Sequence, residues 1–248
     1  MTDIDFASFY RDDLDFKNYG IEHLVAVVYC VLFCAIVLYL AKYKWTEKQS
    51  QRFIIFVAAF VLFTQLFKVF IRMILGNFHV TEDLPLHLCN LMPFFMLYVV
   101  YTKNRFWWSI FFFWIMAGTL QSLFTPTLTE YMPHYEAIRY WIVHSGLPLL
   151  AIYGYYIYGW QPTMKDALIS GIALNILALI MYPINLLLGS NYVYLNGKPP
   201  GTTLYSYLGP WPYYIISLEF VWIIMFSLLV LIFRGISKMR GINPTKNM

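Results

Sequence analysis

Charge is what this sequence has least of: Lys, Arg, Asp and Glu make up 12% of its 248 residues, about half the share of an ordinary soluble domain. A chain so poor in charge cannot clothe a water-facing surface, which excludes a water-soluble enzyme. Cysteine is scarce too. There are three, and Cys30 and Cys34 lie inside an apolar run, which excludes a disulfide scaffold. No long Lys/Arg run occurs and the net charge of +4 is spread over short loops, so nucleic acid is not an expected partner. No His pair stands at i, i+4 and no Cys-x-x-Cys is present, so neither a metal site nor a cofactor is expected. A cleavable leader is not expected either. Residues 1–19 are acidic (Asp3, Asp5, Asp12, Asp13, Asp15), and the first apolar run is long enough to span a membrane.

What the chain has instead is apolar surface, 60% of residues, with aromatics at 20%. Its solvent is therefore lipid. A spanning helix needs about 20 mostly apolar residues. Seven stretches qualify: Ile21–Ala41, Phe53–Leu75, Leu84–Tyr101, Phe106–Leu123, Ala137–Tyr158, Ala167–Leu188 and Trp211–Phe233. The expected fold class is all-α, a multi-pass protein of the cell membrane with seven transmembrane helices. An acidic tail covers 1–20, the bundle 21–233 and a basic tail 234–248. Basic flanks stay cytoplasmic. Lys42, Lys44, Lys48, Arg52, Lys103, Arg105, Lys165, Arg234, Lys238, Arg240 and Lys246 fall on one side, against Arg11, Lys17, Lys198 and Arg139 on the other. This predicts the N-terminus outside and the C-terminus cytoplasmic. Trp45, Trp107, Trp108, Trp160 and Trp211 sit at predicted helix ends, where indoles prefer the interface. The longest break, Gly189–Pro210, reads as a structured connector, with a lid or a re-entrant loop as the alternative.

Ionisable groups are expensive in lipid, so those inside spans usually face the bundle interior and mark function. At ~1.5 Å per residue, Arg72 lies ~5 Å below the outer boundary, Cys89 ~7 Å, Lys68 and His144 ~10 Å and Glu219 ~12 Å. Gln65, Lys68 and Arg72 share one helical face, Gln121 and Asn185 lie near the same boundary, and Asn175 is the clearest polar residue of the inner half. Lys68 and Arg72 have snorkelling to the headgroups as an alternative. A lone buried carboxylate is costly, so Glu219 is expected to pair with Lys68 or Arg72, as structural glue or as part of a site.

Cys30 and Cys34 read as small packing hydrophobes. Cys89 differs, because Pro85-Leu86-His87-Leu88-Cys89-Asn90 sets it beside polar residues and near positive charges, the setting in which a thiolate forms. His87 and Cys89, two apart on a predicted helix, point about 200° from each other. His144 matches the depth of Cys89 and is the better partner. A thiol with an imidazole is a nucleophile and base for acyl transfer. Arg72, Lys68, Gln121 or Asn90 are the available oxyanion stabilisers. His79 and His134 fall in predicted loops and read as surface or interface residues.

Pro85-Leu86-His87-Leu88-Cys89, Gly118-Thr119-Leu120-Gln121-Ser122-Leu123-Phe124-Thr125-Pro126, His144-Ser145-Gly146, Asn191-Tyr192 and Gly209-Pro210-Trp211-Pro212-Tyr213 stand in this order over about residues 20–235. In these pieces the chain resembles the bacterial YwaF-like integral membrane proteins. The resemblance implies kinship with a human seven-helix acyltransferase that remodels ether phospholipids through a Cys/His pair, in a wider fold that includes membrane lipid-ester hydrolases. It carries the nucleophile onto Cys89 and the histidine onto His144. The expected function is a lipid acyltransferase or lipid-ester hydrolase working on the outer leaflet. Its partners would be membrane lipids, with a phospholipid acyl donor and a lyso-lipid acceptor, and Lys68, Arg72, His87, Asn90, Gln121 and Glu219 would support the pair. The alternative is a transporter or lipid-binding protein that uses the same charged layer. A retinal protein is disfavoured, because Trp211–Phe233 has no lysine.

Overall fold

Long runs of Leu, Ile, Val, Phe and Ala leave the backbone few ways to satisfy its polar groups in lipid, and the helix is the simplest. The computed structural model describes residues 16–201 and 203–240, and among them there are seven α-helices and no strand. They are α1 (Ile21–Tyr43), α2 (Glu47–Ile74), α3 (Leu88–Thr102), α4 (Arg105–Ala117), α5 (Tyr135–Tyr156), α6 (Met164–Leu188) and α7 (Tyr213–Met239). The all-α class is as expected. Five segments are long and apolar enough to cross a membrane, namely α1, α2, Arg105–Leu123, α6 and α7; α3 is apolar but shorter. Most of the acidic tail expected over 1–20, and the basic tail beyond Arg240, lie outside the described residues.

The helix ends are set by caps that hydropathy does not register. Thr46 and Gln49 form a capping box that starts α2 six residues before the apolar run, and a second box of Thr163 and Asp166 starts α6 three residues before its run. Pro85 disfavours helical backbone at Leu84. The third helix accordingly begins at Leu88, with His87 at its N-cap, rather than at Leu84. The fourth leaves α geometry at Gly118 and finishes as a 3-10 segment over Thr119–Leu123. The fifth begins at Tyr135, where the His134 side chain accepts the Glu136 N–H. His134 is buried and caps this helix, so it is not the surface residue its loop position suggested.

Among the long helices, the one without an apolar stretch of membrane length, α5, takes the centre. From Tyr135 to Tyr155 nearly every residue of α5 is buried, against α1, α2, α3 and α4. Its tyrosines and charges are tolerable there because protein, not lipid, surrounds them. Helices α6 and α7 pack on α4 and on each other. The outward faces are apolar: Leu24, Val28 and Leu32 on α1, Ile172, Ile176 and Leu179 on α6, and Ile216, Phe220 and Ile223 on α7 are all exposed. That inversion of the soluble pattern fits a lipid surround. Trp108 is not at an interface. It is fully buried and donates to the Ala151 carbonyl at 2.9 Å. Its ring lies against Gly154, where a Cβ would overlap the indole.

The connector after α6 is built, not slack. The Asn185 side chain accepts from Ser190 Oγ and Tyr192 N, both at 2.8 Å, and donates to the Tyr192 carbonyl at 2.9 Å. Tyr192 Oη accepts from Leu84 N at 3.1 Å and donates to the Val80 carbonyl at 2.7 Å, which ties the connector to the approach to α3. Val193 and Tyr194 take φ of 59° and 56°. For a β-branched residue such as Val193 that is a left-handed outlier.

Candidate functional site

Five charged side chains meet where α2 ends and α3 and α5 begin. Lys68 Nζ lies 3.4 Å from Asp83 Oδ1 and 3.6 Å from Glu136 Oε1. Arg72 Nε lies 3.7 Å from Asp83 Oδ1, and its Nη2 donates to Glu136 Oε1 at 3.4 Å. Arg139 Nε donates to Glu136 Oε2 at 2.9 Å. Asp83 and Glu136 are buried. Three cations thus face two carboxylates, and the mutual attraction offsets the desolvation cost of each. The sequence-level pairing of Glu219 with Lys68 or Arg72 is overturned, since both cations are committed to Asp83 and Glu136. Glu219 instead accepts at Oε2 from Asn175 Nδ2 at 3.1 Å and Trp222 Nε1 at 2.7 Å.

Arg139 carries this network to the cysteine. Its Nη1 donates to Gln65 Oε1 at 3.0 Å and to Asn90 Oδ1 at 3.2 Å, so one guanidinium joins α2, α3 and α5. Cys89 Sγ points at the same Asn90 oxygen, 3.7 Å away. Gln65 is fully buried, and its Nε2 has no hydrogen-bond partner among the described residues.

His144 is positioned by its own helix. Its Nδ1 lies 2.7 Å from the Tyr140 carbonyl, one turn back, and its ring stacks on the Tyr140 ring with centroids 3.9 Å apart. A carbonyl only accepts, so Nδ1 carries the proton and Nε2 holds the free lone pair. The Tyr140 hydroxyl is tied in turn to the Ser122 carbonyl at 2.8 Å. No hydrogen bond joins Cys89 to His144 among the described residues. His87 serves the connector, its ring 5.2 Å from Tyr192 and 4.8 Å from Tyr194. Among the described residues no hydrogen bond joins the Gln121 side chain to the network. Cys30 and Cys34 face the Trp141 and Ser145 carbonyls on α5 as packing residues.

The sequence reading missed Asp83, Glu136 and Arg139, the last counted only as a loop charge. Glu136 and Arg139 stand at i, i+3, and that spacing was the available signal.

The sequence model of the TMEM164 family matches residues 18–230, which takes in α1 to α6 whole and most of α7. The chain belongs to the TMEM164 family. No curated protein and no solved structure matches it. With the apolar helices, TMEM164 membership makes this a multi-pass membrane protein. The stretch matched to TMEM164 holds the whole charged network together with Cys89 and His144.

Proposed function

We propose that this protein is a membrane-embedded lipid acyltransferase or lipid-ester hydrolase in which Cys89 is the nucleophile and His144 the base. In this reading α3 and α5 complete a seven-span bundle with its N-terminus outside, the site opens to the outer leaflet of the cell membrane, and the YwaF-like proteins are its kin. The observation that carries the reading is the tautomer of His144. With Nδ1 held on the Tyr140 carbonyl, Nε2 is ready to accept a proton, as a base beside a thiol must be. His144 takes the Cys89 proton, sulfur attacks a lipid ester carbonyl, and the acyl group rests on the thiol while the proton leaves with the lyso-lipid alcohol. The acyl group then passes to another alcohol or to water. Arg139, Asn90 and the unpartnered Gln65 Nε2 lie on the Cys89 side as donors for the oxyanion.

The test is labelling of purified protein in mild detergent with a lipid-like thiol-reactive probe, in a Cys30→Ala/Cys34→Ala background. Fast labelling of Cys89 that collapses in His144→Ala is expected. Slow labelling indifferent to His144 would overturn the mechanism. The second reading, a transporter or lipid-binding protein, draws on the excess of one cation in the buried network, which suits an anionic headgroup. Under it, charge reversal at Lys68 or Arg72 abolishes function while Cys89→Ala is harmless.

A further inference from the structure

A cavity of about 210 Å³ lies between α4, α6 and α7, roofed by Val193, Leu195 and Tyr205 of the connector. Leu88, the residue before Cys89, forms part of its wall, and Glu219 and Asn175 are its polar residues away from the roof. The network around Lys68 and Arg139 does not reach it. Apart from Glu219 and Asn175, its helical walls are aromatic, aliphatic or glycine, among them Trp114, Gly118, Ala178 and Met225.

Glu219 is the unusual feature of that cavity. No cation pairs with it among the described residues. Both of its donors, Asn175 Nδ2 and Trp222 Nε1, converge on the single oxygen Oε2. Among the described residues Oε1 has neither donor nor counter-charge, in a space otherwise lined mostly by apolar groups. A slot for a plain acyl chain gains nothing from such an oxygen, whereas a lipid that brings a hydroxyl into the slot satisfies it.

We infer that this cavity is the acceptor site of the Cys89 reaction, binding a hydroxyl-bearing single-chain lipid with its chain along Trp114 and Met225 and its hydroxyl on Glu219 Oε1. The inference rests on the Cys89 reading and adds the second half of the reaction. The acceptor oxygen forms a C–O bond to the acyl carbon and the C–S bond to Cys89 breaks. The hydroxyl proton goes to Glu219 and then returns to the departing thiolate, restoring the thiol. Leu88 lines the cavity and directly precedes the nucleophile in the chain, which is the link between the two.

The test supplies purified protein with a phospholipid carrying a labelled acyl chain and with a 1-acylglycerol as the alcohol. It follows acyl-Cys89, new ester and free fatty acid separately. Glu219→Gln and the cavity-filling Ala178→Phe are expected to acylate Cys89 as fast as the wild type, yet to form new ester at least tenfold more slowly, with label held on Cys89 or released as acid. Ester formation at the wild-type rate in both variants overturns the inference. Should Cys89 not be acylated in the wild type, the nucleophile reading fails by itself, and the cavity is then judged by binding alone. A 1-acylglycerol with a diazirine in its chain should crosslink saturably to α6 and α7, less in Glu219→Gln and not in Ala178→Phe. Crosslinking unaffected by either substitution also overturns the inference.

Discussion

His144 and Tyr140 are joined twice, through ring faces 3.9 Å apart and through Nδ1–H donating to the Tyr140 carbonyl at 2.7 Å. The backbone contact sets the tautomer and the ring contact sets the plane, so side-chain substitution at residue 140 separates the two. Tyr140→Phe keeps both contacts and loses only the hydroxyl bond to Ser122. Tyr140→Leu keeps the tautomer and frees the ring plane. Stacking of this kind is worth roughly 1 kcal/mol, so Cys89 labelling should fall about fivefold in Tyr140→Leu. It should change less than about twofold in Tyr140→Phe. Equal labelling in the two variants would show that the imidazole plane is immaterial.

The second prediction concerns Glu136, which meets Lys68, Arg72 and Arg139 at once. Glu136→Gln leaves three cations against Asp83 alone in a buried cluster. Breaking such a network from one side costs about 3–5 kcal/mol. A large drop in the melting temperature in detergent is expected, and the added substitution Arg139→Met should recover part of it. A variant that melts with the wild type would mean the charges were solvated all along.

The fold class was legible because lipid imposes one pattern on every outward face, and α1, α6 and α7 show it without interruption. The candidate cysteine and histidine were legible for a related reason: polar residues in an apolar run stand out. Their neighbours were hidden by helix boundaries. Asp83 falls just before the predicted third span and Glu136 just before the fifth, so neither was weighed as a partner of Lys68 and Arg72, whose counter-ions they are. Depth from the boundary then left Glu219 as the only carboxylate within reach of those cations, and it was paired with them wrongly. Depth counting carries no azimuth. It could not show that Glu219 faces Asn175 and Trp222 between α6 and α7, away from α2.

A third prediction separates charge from capping at the opposite end of the bundle. Arg105 grips both Asp166 oxygens, at 3.1 and 2.8 Å, but its side chain is 38% exposed. Solvent screening holds that ion pair to about 1 kcal/mol or less. Asp166 also closes the capping box of α6 with Thr163, and losing it should add about 1 kcal/mol. Asp166→Ala is therefore expected to destabilise more than Arg105→Ala, and at high salt the two losses should shrink by a similar amount, leaving the capping part of the Asp166 effect. Equal losses at all salt concentrations would contradict this division.

The last prediction turns on Gly171, whose missing Cβ leaves the space that the Trp222 ring fills. A methyl group there would overlap the indole, so Gly171→Ala must push the ring away and take its Nε1 off Glu219. Overpacking costs about 1–3 kcal/mol, which outweighs the gain of roughly 1 kcal/mol that alanine brings to a helix over glycine. Gly235, on α7, is the control, because a Cβ there meets nothing within 4 Å. Gly235→Ala should raise the melting temperature slightly, and Gly171→Ala should lower it with a change in tryptophan emission. If the loss at Gly171 acts through Trp222 and Glu219, its effect on acyl transfer will not add to that of Glu219→Gln, because both act through the same carboxylate, one on its placement and the other on its basicity. Full additivity in the double variant would instead place the damage in the packing of α6 on α7, with Glu219 unaffected.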